Sequence, residues 1–163
     1  MMERILEDCG MLHKGDQVPA FRLEASTGEV VDTADLLGHR WVIYFYPKDN
    51  TSGCTIETRE FARALDAFSS QGLRVFGCSV GDVAAKKSFA VSCEASDLPL
   101  LADPDHRVAD GFGVWGQRKF AGREYMGIAR TTFLVDDRGL VEQVWEDVKP
   151  EGHAAEVLAT TKA

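Results

Sequence analysis

Its four cysteines, Cys9, Cys54, Cys78 and Cys93, include no Cys-x-x-Cys pair and follow no zinc-like spacing. The four histidines, His13, His39, His106 and His153, are scattered without a His-x-x-x-His pattern, so a metal site is not expected. Long apolar runs are missing too. Nothing approaches the roughly 18 residues of a membrane-spanning helix, and the longest stretch of interest is Trp41 to Tyr46. Glu3, Arg4, Glu7 and Asp8 leave no room for the apolar centre of a signal peptide. Basic charge is in short supply, with 18 Lys and Arg against 26 Asp and Glu, a net −8. That balance argues against nucleic acid or an anionic membrane surface as partner. With 5 prolines, 45% hydrophobic and 27% charged residues, disordered and collagen-like classes are excluded as well.

What is present fits one domain of 163 residues. A chain of this size buries roughly 70% of its unfolded surface and needs no disulfide to fold. The expectation is a soluble, cytoplasmic protein in which each cysteine is first read as a small buried hydrophobe.

Residues 1–13 read as an added N-terminal arm, with Met2, Ile5, Leu6 and Cys9 at helical spacing, and residues 14–163 as the domain. Phe21 to Ala25 alternates with period two and turns through Ser26-Thr27-Gly28 into Glu29-Val30-Val31, a hairpin. Trp41 to Tyr46 is continuously apolar, as in a strand covered on both faces, and Leu73 to Val80 reads as a second such strand. Between them Phe61, Leu65 and Phe68 mark an amphipathic helix, which makes a βαβ unit. A second helix over Val83 to Glu94 is expected to bury Ala85, Phe89 and Cys93. Leu98 to Leu101 reads as a short strand or link, and His106 to Phe112 as a short helix. Two strands, Ile128 to Val135 and Leu140 to Trp145, flank the turn Asp136-Asp137-Arg138-Gly139 before a final helix from His153 to Thr160. This order predicts an α/β thioredoxin-like fold, a mixed central sheet with helices on both faces.

One segment carries chemistry: Pro47-Lys48-Asp49-Asn50-Thr51-Ser52-Gly53-Cys54-Thr55-Ile56-Glu57. Turn-forming and polar residues leave the C-terminal end of a buried strand and deliver Cys54 into the first turn of a helix. Unpaired N–H groups and the positive dipole end stabilise an anion there. Thiols at helix N-termini are activated in this way, and the thiolate is the nucleophile. On these local signals alone, a polar capping loop with an inert cysteine fits nearly as well.

The run from Tyr44 to Cys54, followed by Thr55-x-Glu57, closely resembles the active-site signature of peroxiredoxins, with its Pro-x-x-x-Thr-x-x-Cys core intact. It is most similar to the peroxiredoxin Q branch, also called bacterioferritin comigratory protein. Two further blocks match in order, Asp103 to His106 through Phe112 to Gly116, and Gly127 to Asp136. The resemblance spans about residues 14–160. It implies a thiol peroxidase that reduces hydrogen peroxide and organic hydroperoxides without metal or bound cofactor. Cys54 would be the peroxidatic cysteine, oxidised to sulfenic acid. Thr51 would hydrogen-bond the peroxide, Pro47 would shield the pocket, and Arg130 would hold the thiolate and the departing oxygen. An arginine in so apolar a run is costly unless paired. Glu57 would either orient these neighbours or simply favour the helix start.

Two departures from the family pattern stand out. Ser52 replaces the proline usual before Gly-Cys, and Arg59 occupies the position where many members carry a resolving cysteine. Some relatives carry it instead on the second helix, the region of Cys93, so Cys93 is favoured over Cys9, Cys78 or none. The resemblance further implies recycling through a disulfide by thioredoxin or a similar dithiol, and a monomer. The alternatives are a one-cysteine peroxidase resolved by an external thiol and a non-enzymatic redox sensor.

Overall fold

Strand β3 (Arg40–Phe45) is apolar on both sides because it lies at the centre of a five-stranded sheet with both faces covered. The computed structural model describes residues 11–49, 51–120 and 122–161. A first hairpin, β1 (Arg22–Glu24) and β2 (Val30–Asp32), leads through a 3₁₀ turn into β3. Helices α1 (Ser52–Arg63) and α2 (Leu65–Ser69) cross over to β4 (Leu73–Ser79), which pairs parallel to β3. Helix α3 (Val83–Ser92) leads to β5 (Leu100–Ala102), parallel to β4. Then come α4 (Arg107–Phe112), a second hairpin of β6 (Trp115–Phe120) and β7 (Arg123–Ile128), β8 (Thr131–Val135), β9 (Val141–Trp145) and α5 (His153–Thr161). The central order is β5-β4-β3-β8-β9, with β8 antiparallel to β3 and β9 antiparallel to β8. This is the expected thioredoxin-like plan.

Strand alternation sorts the core into two layers. Trp41, Ile43 and Phe45 point with Phe76, Cys78 and Phe133 towards α4 and the first hairpin. Val42, Tyr44 and Tyr46 point with Val75 and Leu134 towards α1, α2, α3 and α5, where Phe61, Phe68, Phe89 and Val157 meet them.

Several sequence expectations need correction. The helix carrying Phe61 and Phe68 breaks at Ala64, whose φ of −94° and ψ of 0° leave the α region between α1 and α2. Ala85 is exposed, and the buried stripe of α3 is Lys86, Phe89, Ala90 and Cys93. An aliphatic Lys stem plus a buried ion pair took a place that hydrophobicity assigned to alanine. Ile128 to Val135 is not one strand. The chain leaves the β6–β7 hairpin at Ile128 and enters the central sheet at Thr131, with Ala129 and Arg130 as the link. The hairpin itself was not anticipated, because Trp115 to Ile128 mixes charged, glycine and apolar residues, and among its described residues only Ile128 is buried. The expected helix over Met2 to Cys9 lies outside the described residues, whereas Leu12 donates its N–H to the Phe112 carbonyl at 3.1 Å.

Candidate active site

The site forms where β3 ends and α1 begins. Tyr46 closes the strand, and the loop through Pro47 reaches Thr51, the N-cap of α1. Thr51 is extended (φ −95°, ψ 154°) and its hydroxyl donates to the Lys48 carbonyl at 3.1 Å. The first helical bond runs from the Thr55 N–H to the Thr51 carbonyl at 2.9 Å. The N–H groups of Gly53 and Cys54 precede it and so have no acceptor within the helix. Cys54 is fully buried beneath this turn.

Arg130 arrives from the link between β7 and β8, 76 residues away in sequence. One guanidinium nitrogen, Nη2, lies 3.4 Å from Cys54 Sγ, and the other, Nη1, donates to Glu57 Oε1 at 2.7 Å. Gly53 permits this approach: a Cβ there would stand 3.2 Å from Arg130 Nη2 and 3.2 Å from Pro150 Cγ. Glu57 is completely buried, and its second oxygen, Oε2, has no partner among the described residues. Burial pushes its carboxyl from 4.5 up to about 7, against the opposing pull of Arg130. Burial works against the charge on Arg130, but Glu57 and Cys54 outweigh it and hold the guanidinium firmly protonated.

Cys93 closes the other side. It is the C-cap of α3, buried, with its thiol pushed up by burial and eased by the Thr55 hydroxyl and the Arg59 cation. Arg59 Nη2 donates to the Ser92 carbonyl at 3.3 Å, so the residue at the family's usual resolving position ties α1 to the end of α3. Tyr44 shares a core layer with both cysteines. Its hydroxyl hydrogen-bonds Thr58 at 2.9 Å, and its phenol is driven well above 10, first by burial and further by Glu57, Cys93 and Cys54. Cys78 is on the opposite side of the sheet from Cys54 and Cys93. Cys9 lies outside the described residues.

The structure thus brings Cys54, Arg130, Glu57 and Thr51 to one helix start, with Pro47 half-buried above and Cys93 a short way along the same core. Sequence reasoning missed Tyr44, Asp49 and Lys86. It also overlooked the His-x-x-Glu spacing of His153 and Glu156, which hydrogen-bond at 3.0 Å while His153 contacts Thr132 at 2.8 Å. Among the described residues no group of three or more His, Cys, Asp or Glu side chains is placed to hold a metal ion.

A thioredoxin-like sheet with a cysteine under a helix N-terminus and an arginine on its sulfur is the arrangement of a peroxide-reducing thiol enzyme. The family model described as AhpC/TSA matches residues 14–144, and the chain belongs to that family. Within it, the chain is a thiol peroxidase of the bacterioferritin comigratory protein, or peroxiredoxin Q, branch. It is 40% identical over 147 residues to the peroxiredoxin Bcp of Escherichia coli K12, covering 90% of this chain and 94% of that one. A Xanthomonas campestris bacterioferritin comigratory protein, solved to study its alkyl peroxide reduction, superposes with a TM-score of 0.80 at 36% identity, over 87% of this chain and 90% of that one. A cysteine-to-serine mutant of Xylella fastidiosa PrxQ gives a TM-score of 0.87 at 30% identity, over 94% of this chain and 97% of that one.

Proposed function

We propose that Cys54 is the peroxidatic residue and that Cys93 resolves it. The Cys54 thiolate attacks one oxygen of a hydrogen peroxide or organic hydroperoxide, the O–O bond breaks, and the leaving oxygen takes a proton. Cys54 becomes a sulfenic acid, and water or an alcohol departs. The observation that carries this reading is the forked contact of Arg130 with Cys54 Sγ and Glu57 Oε1. A guanidinium so held faces the charge that shifts from sulfur to oxygen during attack. Thr51 has already given its hydroxyl hydrogen to Lys48, so its oxygen is available to accept one from the peroxide. The N–H groups of Gly53 and Cys54 face the same space, and Pro47 limits water at its rim.

The Cys93 thiol then displaces water from the sulfenic acid, and a dithiol such as thioredoxin reduces the resulting disulfide. Three features support Cys93: it shares the core layer of Cys54, both thiols influence Tyr44, and Cys78 faces the other layer. Both cysteines are buried, so bridging requires the ends of α1 and α3 to unwind locally, an opening of low free-energy cost at helix termini. The protein acts in the cytoplasm as a monomer, with residues 14–163 as the catalytic unit. Its net charge of −8 disfavours nucleic acid, and no helix among the described residues is long and apolar enough to cross a membrane.

The test is mass analysis after one equivalent of peroxide, with peptide mapping. A disulfide from Cys54 to Cys93 is the expected product, and Cys93→Ser should accumulate sulfenic and then sulfinic acid at Cys54. A mapped disulfide to Cys9, or undiminished thioredoxin-dependent turnover by Cys93→Ser, would refute the resolving assignment and leave the peroxidase intact.

A further inference from the structure

The peroxidatic loop is tied to the Cys93 helix by a buried ion pair that the chemistry above does not use. Lys86, the fourth residue of α3, is completely buried. Its ammonium donates to Asp49 Oδ2 at 2.9 Å and to the Val80 carbonyl at 2.6 Å. Asp49 stands in the loop midway between Pro47 and Thr51, and its other oxygen accepts from the Tyr46 hydroxyl at 2.8 Å. A lysine inside a hydrophobic layer is costly unless it is paired and its protons are satisfied. Here the counter-charge comes from the loop that shapes the peroxide pocket, and the Val80 carbonyl just beyond β4 adds a second acceptor. Lys86 also stands at the head of the buried stripe that continues through Phe89 and Ala90 to Cys93. One side chain therefore joins the segment that binds peroxide to the helix that must open.

We propose that Lys86 is a positioning residue, a latch that keeps Asp49 and the Pro47–Asp49 segment in their peroxide-ready place while α3 is folded, and releases them when α3 opens towards the disulfide. This rests on the assignment of Cys93 as the resolving cysteine. A bond present in the closed form and absent from the open form holds back opening. Removing it should slow the first oxidation, because the loop loses its anchor, and speed the second step, because α3 parts more easily. A residue that merely supports the fold would shift both steps in the same direction or neither.

The two steps are separable by stopped-flow fluorescence, sulfenic acid formation under limiting peroxide and disulfide formation afterwards, in the full chain. Lys86→Met should slow the first by about tenfold, as expected for a displaced binding loop. It should speed the second by about threefold and lower the fraction of sulfinic acid at high peroxide. Because Lys86→Met strands a buried carboxylate and can compromise folding, Asp49→Asn is measured beside it. That variant keeps an acceptor for the Tyr46 hydroxyl, leaves the Lys86 ammonium with the Val80 carbonyl alone, and should show the same opposed changes, with urea unfolding confirming that each variant is folded. Parallel slowing of both steps, or rates within about twofold of wild type in folded Lys86→Met and Asp49→Asn, would overturn the latch. If Cys93 does not resolve Cys54, the wild-type protein itself forms no 54–93 disulfide, which separates that failure from failure of the latch.

Discussion

The two faces of the central sheet are made by the same strands and differ in kind. Towards α4, Trp41, Phe45, Phe76, Phe112 and Phe133 meet edge-on or tilted at centroid distances of 5.0 to 6.0 Å, a layer of rings held by packing. One residue along, the other face carries Tyr44 and Tyr46, and around them Glu57, Thr58, Lys86 and His153 are buried. Each charge there has a partner, Glu57 with Arg130 at 2.7 Å and Lys86 with Asp49 at 2.9 Å. Replacing such pairs by hydrophobes is often neutral or stabilising, so they are weak evidence for stability. The difference teaches that the α4 face is held almost wholly by ring packing, whereas the other face adds positioned, paired polar groups to an aromatic layer of its own around Phe61, Phe68 and Phe89. Substitutions on the two sides should separate stability from chemistry.

The largest expected contrast is between cysteines on opposite faces. Cys54→Ser should abolish peroxide consumption, whereas Cys78→Ser should leave the first oxidation of Cys54 unchanged in a peroxide-limited single turnover. Loss of that step in a folded Cys78→Ser protein would break the division. Phe133→Ala, in the ring layer, should cost about 3–5 kcal/mol in urea unfolding and leave the oxidation rate of the folded fraction near wild type.

Arg130→Met sharpens the comparison from the other side. Losing the forked contact should slow sulfenic acid formation by about 10- to 100-fold, the scale of one lost oxyanion donor. A rate within about twofold of wild type would make the arginine structural. Gly77→Ala is an intermediate case on the polar face. A Cβ there would sit 2.7 Å from the Tyr44 ring and hydroxyl and 2.8 Å from Leu100 Cδ2. Overpacking of this kind costs about 1–3 kcal/mol, and a thermal shift paired with the oxidation rate shows whether the Tyr44–Thr58 contact matters to chemistry.

The strands and the cysteine loop could be read from the chain, the contrast between the two faces could not, and the unread parts have physical reasons. Continuous apolar strands and turn chemistry marked β3, β4 and the β8–β9 turn, because burial on both faces leaves a plain hydrophobic run. The loop from Pro47 to Cys54 was legible as a motif whose residues are adjacent in sequence. Arg130 was placed by resemblance alone, since its contact with Cys54 spans 76 residues and depends on the chain leaving one sheet and entering another at Ala129. Lys86 was passed over because a charged residue on a helix stripe reads as solvated until its partner is known. Its signal was present nonetheless: Lys86, Phe89, Ala90 and Cys93 follow i, i+3, i+4, i+7 spacing, a better seam than one starting at Ala85.

The smallest predicted effect concerns Glu57, where the two demands meet in one group. Burial lifts its carboxyl from 4.5 to about 7, so the folded protein keeps a proton there that the unfolded chain has released. Its contribution to stability is complete below about 4.5 and is lost as pH rises through about 7. The ionised form, favoured above that point, is the one that grips Arg130 by a charge-assisted bond. Rising pH should therefore raise the rate of Cys54 oxidation while lowering stability. Measured between about pH 5.5 and 8.5, the wild-type oxidation rate should show a gain of a few fold centred near 7. Urea unfolding over the same range should lose about 2 kcal/mol, the part of the shift that lies between pH 5.5 and 7. Glu57→Gln cannot ionise, so both changes should flatten in that variant. A rate step that survives in Glu57→Gln belongs to another group. Wild-type stability that does not fall through this window would mean that the Arg130 pairing cancels the burial of Glu57.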